Sequence, residues 1–205
     1  MDEGLAWFAS ATAFAVSMSG SPGPNNTMVT ASGATWGFRR TVPHMLGISL
    51  GLPLMLVAIA LGMGELLRAW PWLHDAMRWA GAAYMLWLAW KIASADPDPA
   101  RPDQGGAGHP LSFLQAAAFQ WVNPKAWVVA LGAIAAYTTA TGLALVGQAA
   151  LLGAIFLVVT LPLVAAWTLV GVGAARLLRT RRALRLFNLA MAGLLVASLL
   201  PMLAG

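Results

Sequence analysis

Ser21-Pro22-Gly23-Pro24-Asn25-Asn26 cuts a run that carries no charge from Gly4 to Phe38, and Asn123-Pro124-Lys125 cuts a second apolar run one hundred residues later. Two prolines remove backbone donors and clash with the preceding turn, while the glycine between them frees the chain to bend. As one straight helix the first run would reach roughly 50 Å, far more than a hydrocarbon core of about 30 Å requires. It therefore tilts, kinks or doubles back. Two interrupted apolar helices, half a chain apart, are a pattern that builds solute sites inside membranes.

Composition agrees. Of 205 residues 60% are hydrophobic and only 9% charged, which excludes a soluble domain covered with charge. Cysteine is absent from the sequence, so disulfide staples, Cys-ligated metal sites and thiol relays are excluded. The three histidines, His44, His74 and His109, are scattered without clustered carboxylates and make no metal site. No cofactor is expected. The N-terminal segment begins Met1-Asp2-Glu3, without a basic n-region, and is expected to be retained.

Apolar stretches predict six helical segments near residues 5–37 (broken), 42–65, 71–92, 111–136 (broken), 143–174 and 184–204. The fold class expected is an all-α integral membrane protein forming a single transmembrane domain over residues 1–205. A Pro-, Gly- and Asp-rich loop at 93–110 divides it into a first half of about 1–92 and a second of about 111–205. Three spans is an odd number, so the second half enters from the opposite side. This is the arithmetic of two inverted three-helix repeats, with the breaks facing each other at similar depth.

Basic residues set the orientation. Arg39, Arg40, Lys91, Arg101, Arg176, Arg179, Arg181, Arg182 and Arg185 fall on one side and only Arg68 and Arg78 on the other. That bias places the loops after the first, third and fifth segments in the cytoplasm and the C-terminus outside. With six full spans the N-terminus is outside as well; a re-entrant first segment would leave five spans and an inside N-terminus. The net charge of +5 resides largely in the Arg176 to Arg185 cluster, a topology anchor able to touch anionic lipid. A nucleic-acid partner is not expected.

At the first break, Pro24-Asn25-Asn26-Thr27 restarts a helix with residue types that cap exposed N–H groups. The positive end of such a helix, at membrane depth, suits a carboxylate or phosphate. A simple proline kink is the plainer reading, but two prolines, a glycine and two asparagines within five positions exceed what a kink needs. At the second break Asn123 suits the N-cap, Pro124 the first helical position, and Gln120 lies one turn before. Lys125 is the only formal charge between Ala107 and Arg176. It either lines a substrate path or snorkels to the interface. Gly33 and Gly37, then Gly47 and Gly51, have the spacing for close helix approach, within the protomer or in a homo-oligomer. His44 is expected at the interface. Tryptophans 70, 72, 79, 87 and 90 suit an interfacial belt, and Trp121 and Trp127 flank the second break closely enough to reach a cavity.

On these residues the chain resembles the LysE/RhtB family of bacterial amino-acid exporters, the LysE-type translocators, over nearly its full length. Ser21-Pro22-Gly23-Pro24 looks like the family's Pro-Gly-Pro element, and Gly37-Phe38-Arg39-Arg40 is similar to its Gly-x-Arg turn. Gly47-Ile48-Ser49-Leu50-Gly51 resembles the glycine-paired second helix, residues 79–88 the third-helix signature, and Asn123-Pro124-Lys125 the Asn-Pro-Lys element. The resemblance implies efflux of amino acids or their derivatives across the inner membrane, driven by the proton gradient or the membrane potential. Two departures stand out. No acidic residue occurs from Thr41 to Gly64, where exporters of basic amino acids carry one, and Ala135-Ala136-Tyr137-Thr138-Thr139 replaces a Pro-Gln-Phe-like element.

The expected function is a secondary transporter exporting neutral amino acids or their derivatives by alternating access, with Pro22, Gly23, Pro24, Asn25, Asn26, Gln120, Asn123, Pro124 and Lys125 lining the substrate site. Export of another small anion on the same scaffold is one alternative. An intramembrane hydrolase is another, with Ser17, Ser19 and Ser21 at hand, but the sequence has no G-x-S-x-G element and no evident His-carboxylate partner.

Overall fold

Proline and glycine punctuate this chain more than any cap does. The computed structural model describes residues 3–95, 109–178 and 180–200, which form helices joined by short turns, with no strand among them. Helix α1 (Glu3–Gly20) stops at the first break and α2 (Pro24–Ala58) starts at Pro24; a widened π turn (Ile59–Met63) then leads into α3 (Gly64–Ala69) and α4 (Pro71–Ala93). The second half comprises α5 (Phe113–Phe119), a 3-10 turn (Gln120–Val122), α6 (Pro124–Tyr137), α7 (Gly142–Leu177) and α8 (Arg181–Ala197). Each expected segment coincides with helix, and the expected interruptions fall at residues 21–23 and 120–123. Most of the loop expected at 93–110 lies outside the described residues, as do Arg101, Arg179 and residues 201–205.

Helix α2 is two arms rather than one rod. Gly37 has φ 77° and ψ 172°, a left-handed conformation that glycine adopts without a Cβ penalty. Across it Ser32 Oγ lies 3.4 Å from His44 Nδ1, although twelve residues of continuous helix would span about 18 Å. The chain therefore reverses at Gly37, with exposed Arg39 and Arg40 at the turn, and residues 24–36 run back along residues 38–58.

Contacts along α7 give the course of the first segment. Phe14 meets Phe156, Ser19 meets Thr160, Gly20 meets Leu163 and Trp167, and Gly33 meets Thr168. Helix α1 thus runs parallel to α7, and the first arm of α2 crosses α7 at residues 167–171, so the segment is broken but not doubled back. The second arm runs the other way, with Met45 at Thr168 and Pro53 at Gly153. Helix α6 opposes α1, because Lys125 reaches Ser21, Gly132 meets Phe14 and Tyr137 meets Ser10. Helix α4 opposes the chain at α5, pairing Lys91 with His109, Tyr84 with Phe119 and Gly81 with Val122, and α8 packs on α4.

Close backbone approach holds these rods. A Cβ on Gly33 would strike the Thr168 carbonyl, one on Gly171 the Thr30 carbonyl, and one on Gly47 the Phe113 carbonyl. The expected glycine spacing is thus used inside the protomer, against α7 and α5, while Gly37 makes the turn. Two apolar clusters result. One gathers Met28, Val29, Met45, Ile48, Phe119 and Val164, the other Leu52, Met55, Leu56, Val129, Leu152 and Phe156. The breaks lie between them. The outer surface is apolar as well, with Leu143, Leu114, Val158 and Leu61 exposed, and the helical runs Pro24–Leu67 and Gly142–Leu177 are long and apolar enough to cross a membrane.

Replacing Gly33 by Ala forces its methyl into backbone that cannot swing away. The expected cost is about 2 kcal/mol, read as a lower unfolding midpoint in detergent. Gly193→Ala on α8, where a Cβ meets nothing within 4 Å, is expected to leave the midpoint unchanged or raise it.

Candidate functional site

Breaking a helix inside an apolar bundle frees carbonyls at one end and N–H groups at the other, and each unmet group is costly there. Every carbonyl around the end of α1 finds a donor. Ser21 Oγ donates to Met18 O at 3.0 Å, Asn26 Nδ2 donates to Ser19 O at 2.8 Å and Ser21 O at 2.9 Å, and Trp167 Nε1 donates to Gly20 O at 3.2 Å. Gly23 O accepts from the Thr27 amide at 2.9 Å. The remaining donor comes from the other break: Lys125 Nζ bonds Ser21 O at 2.9 Å, Ser21 Oγ at 2.7 Å and Pro22 O at 3.2 Å.

That placement changes two sequence expectations. Asn26 does not cap α2; it folds back to the carbonyls of α1, and α2 begins behind Gly23 with no side-chain cap. Lys125 does not reach away from the break; its ammonium caps the carbonyl end of α1, its three protons matching the three acceptors it meets. The reason is geometric. With α6 antiparallel to α1, the start of α6 faces the carbonyl end of α1, where a cation is favoured.

The second break behaves as expected locally. Asn123 Oδ1 accepts from the Lys125 amide at 3.1 Å and caps α6, with Pro124 in the first turn. Trp127 Nε1 donates to Trp121 O at 2.8 Å, and their rings meet edge-on at 6.2 Å. Gln120, expected only as a polar neighbour, is 1% exposed and ties the breaks together. Its amide exchanges hydrogen bonds with Asn25, Nδ2 to Oε1 at 2.9 Å and Nε2 to Oδ1 at 3.1 Å, and Nε2 also donates to Ala116 O at 2.9 Å.

Lys125 and the Asn25–Gln120 pair thus latch one break to the other. On one side lies a small cavity of about 50 Å³, walled by Asn25, Asn26, Gln120, Asn123, Lys125 and the hydrogen-bonded Ser19–Thr160 pair together with apolar side chains such as Ile48, Leu52 and Val164. It has room for a water or two. On the other side a groove of about 590 Å³ runs past Pro22, Pro24, Trp121, Pro124 and Trp127 to Leu67 and Ser198. Gly23 and Lys125 line both spaces. A Cβ on Gly23 would come within 2.9 Å of Lys125 Cδ, so glycine there lets the lysine lie across the break.

All nine expected site residues therefore converge. Sequence reasoning missed Ser21 as the acceptor of Lys125, and Thr160 and Trp167, which α7 carries to the first break. Nothing in the local pattern of α7 marks these two, since both sit in an apolar run. His44 is a correction: expected at the interface, it is 1% exposed because the turn at Gly37 folds the first arm of α2 over it, and its Nε2 has no hydrogen-bond partner.

A family model described as LysE type translocator matches residues 16–200. The chain belongs to that family. Relatives of this translocator include the cysteine/O-acetylserine efflux proteins of Escherichia coli (strain K12), Shigella flexneri and Escherichia coli O1:K1 / APEC, each 38% identical over 104 residues. That match covers 51% of this chain and 51% of each relative, so the translocator spans about half the length of the curated relatives it matches. No solved structure matches it. Membership of a translocator family sets aside the hydrolase reading. Ser21 agrees with that, its hydroxyl being held between Met18 O and Lys125.

A double-mutant cycle on Asn25→Ala and Gln120→Ala is expected to return a coupling energy of about 1 kcal/mol, since the pair is two mutual hydrogen bonds in an apolar setting. Unfolding in detergent measures it. Strictly additive costs would show that the pair does not hold the breaks together.

Proposed function

We propose that this translocator exports a small neutral amino acid or amino-acid derivative across the bacterial inner membrane, by alternating access around the paired breaks. The observation that carries the reading is the latch of Lys125 and Asn25–Gln120, which joins two interrupted antiparallel helices across a polar layer between two apolar clusters. The cavity behind it, about 50 Å³, is too small for an amino acid. Loading that side therefore requires the halves to part there. Hydrogen bonds between neutral amides and from one ammonium to carbonyls suit such a device, because a zwitterion can replace each partner in kind. Its carboxylate takes the ammonium and amide donors, and its ammonium takes the carbonyls.

Six spans arranged as two inverted repeats are part of the proposal. Its support is the opposed course of α6 along α1 and of the two arms of α2 along α7, together with breaks that meet at one depth. The excess of Lys and Arg in alternate loops supports a cytoplasmic turn at Gly37 and a periplasmic C-terminus. Neutral substrates are favoured because no acidic residue lies from Thr41 to Gly64 to pair with a cationic side chain. The efflux of cysteine and O-acetylserine named for the relatives falls in the same class. The proton gradient or membrane potential drives the cycle.

The test is efflux from cells loaded with a cysteine- or alanine-containing dipeptide. Expression of the wild type is expected to speed release of the free amino acid and to protect growth against toxic neutral analogues. Lys125→Met, which keeps the stem and removes the charge, is expected to lower the rate at least about tenfold, as loss of one charged hydrogen-bonding group implies. Normal efflux by that variant would remove Lys125 from the mechanism. Wild type giving neither efflux nor protection would sink the exporter reading.

A further inference from the structure

The groove beyond the latch holds a second cation that the latch does not use. Arg78, about two turns into α4, lines this space of about 590 Å³, and its Nε is buried without a hydrogen-bond partner. Apart from Arg78 and Lys125 the described walls are proline, glycine, tryptophan, methionine, aliphatic residues and Ser198, with no carboxylate among these described residues. The residue is only part-buried, but a donor such as this Nε, kept from water, is costly unless an acceptor meets it. The start of α6 at Pro124 opens onto the same space and adds its partial positive charge. The volume is that of a small-molecule site, about twelve times that of the small cavity.

We propose that Arg78 and Lys125 form a station for the carboxylate of the transported solute, in the groove on the far side of the latch from the small cavity. The inference rests on the exporter reading and adds to it the group that receives the solute when the latch opens. Lys125 borders both spaces, so its ammonium can leave Ser21 and Pro22 carrying the carboxylate and bring it towards Arg78. A guanidinium offers a planar fork of donors that fits a carboxylate edge-on. From there the groove leads to Leu67 and Ser198, at the end of the bundle that the basic loops assign to the periplasm. Arg78 is thus a specificity residue for the carboxylate, and solutes without one gain nothing from it.

The purified full chain in lipid-free detergent tests this by thermal unfolding with cysteine, cysteinamide, acetate and an anionic phospholipid as separate probes. Wild type is expected to be stabilised saturably by cysteine and, more weakly, by acetate, and not by cysteinamide. Arg78→Gln is expected to weaken the apparent affinity for both carboxylates about tenfold, the size of one charged hydrogen bond, and Arg78→Lys to recover part of it. Acetate binding that depends on Arg78, with no response to any amino acid, would keep the anion station and remove the exporter reading. Equal acetate affinity in wild type and Arg78→Gln, or none in either, overturns the station. Stabilisation by the phospholipid alone, lost in Arg78→Gln, also overturns it and assigns the groove to a lipid headgroup.

Discussion

The first break frees the carbonyls from Met18 to Gly23 inside an apolar bundle, and the rest of the bundle is arranged around meeting that demand. An unmet backbone group in such surroundings costs several kcal/mol. The donors arrive from three elements: Asn26 from the restarted helix, Trp167 from α7 and Lys125 from α6. Each fixes the position of the element that carries it. A helix interruption that looks like a weakness in one segment becomes the joint at which four helices are registered.

Apolar packing alone would not set that register in lipid, because lipid tails compete equally for apolar side chains. Here the rods are brought together by glycines that admit a facing carbonyl, Gly33 and Gly171 between α2 and α7 and Gly47 between α2 and α5. The two clusters above and below the breaks then fill the remaining space with Met, Leu, Val and Phe. Between them the polar layer is thin, and its hydrogen bonds are paired with few to spare. The same layer that holds the halves is thus the one a polar solute has to rearrange.

In the proposed cycle the latch and the groove divide the work. Lys125 seals the break while it is bonded to Ser21 and Pro22, and Gly23 gives it the space to lie there. Opening exchanges those acceptors for the oxygens of a carboxylate, with no bare charge at any stage. Arg78 offers the next stop. A path of this kind passes an anionic group from one cation to another and keeps the zwitterion's own ammonium among backbone carbonyls.

The sequence by itself determined where helices run and where they are interrupted, because proline, glycine and apolar periodicity act on the backbone within a few residues. The breaks, the cap at Asn123 and the positions of all six apolar segments were legible for that reason. Which donor meets which acceptor was not. Asn25 with Gln120 and Lys125 with Ser21 are separated by 95 and 104 residues, and no local pattern encodes a partner that far along the chain. Only the opposed packing of α6 on α1 brought Lys125 to the carbonyls of the first break. The reversal at Gly37 buried a histidine that its own neighbours would leave at a surface. Burial and hydrogen-bond partners are properties of what packs against a residue, and for those the tertiary structure decided.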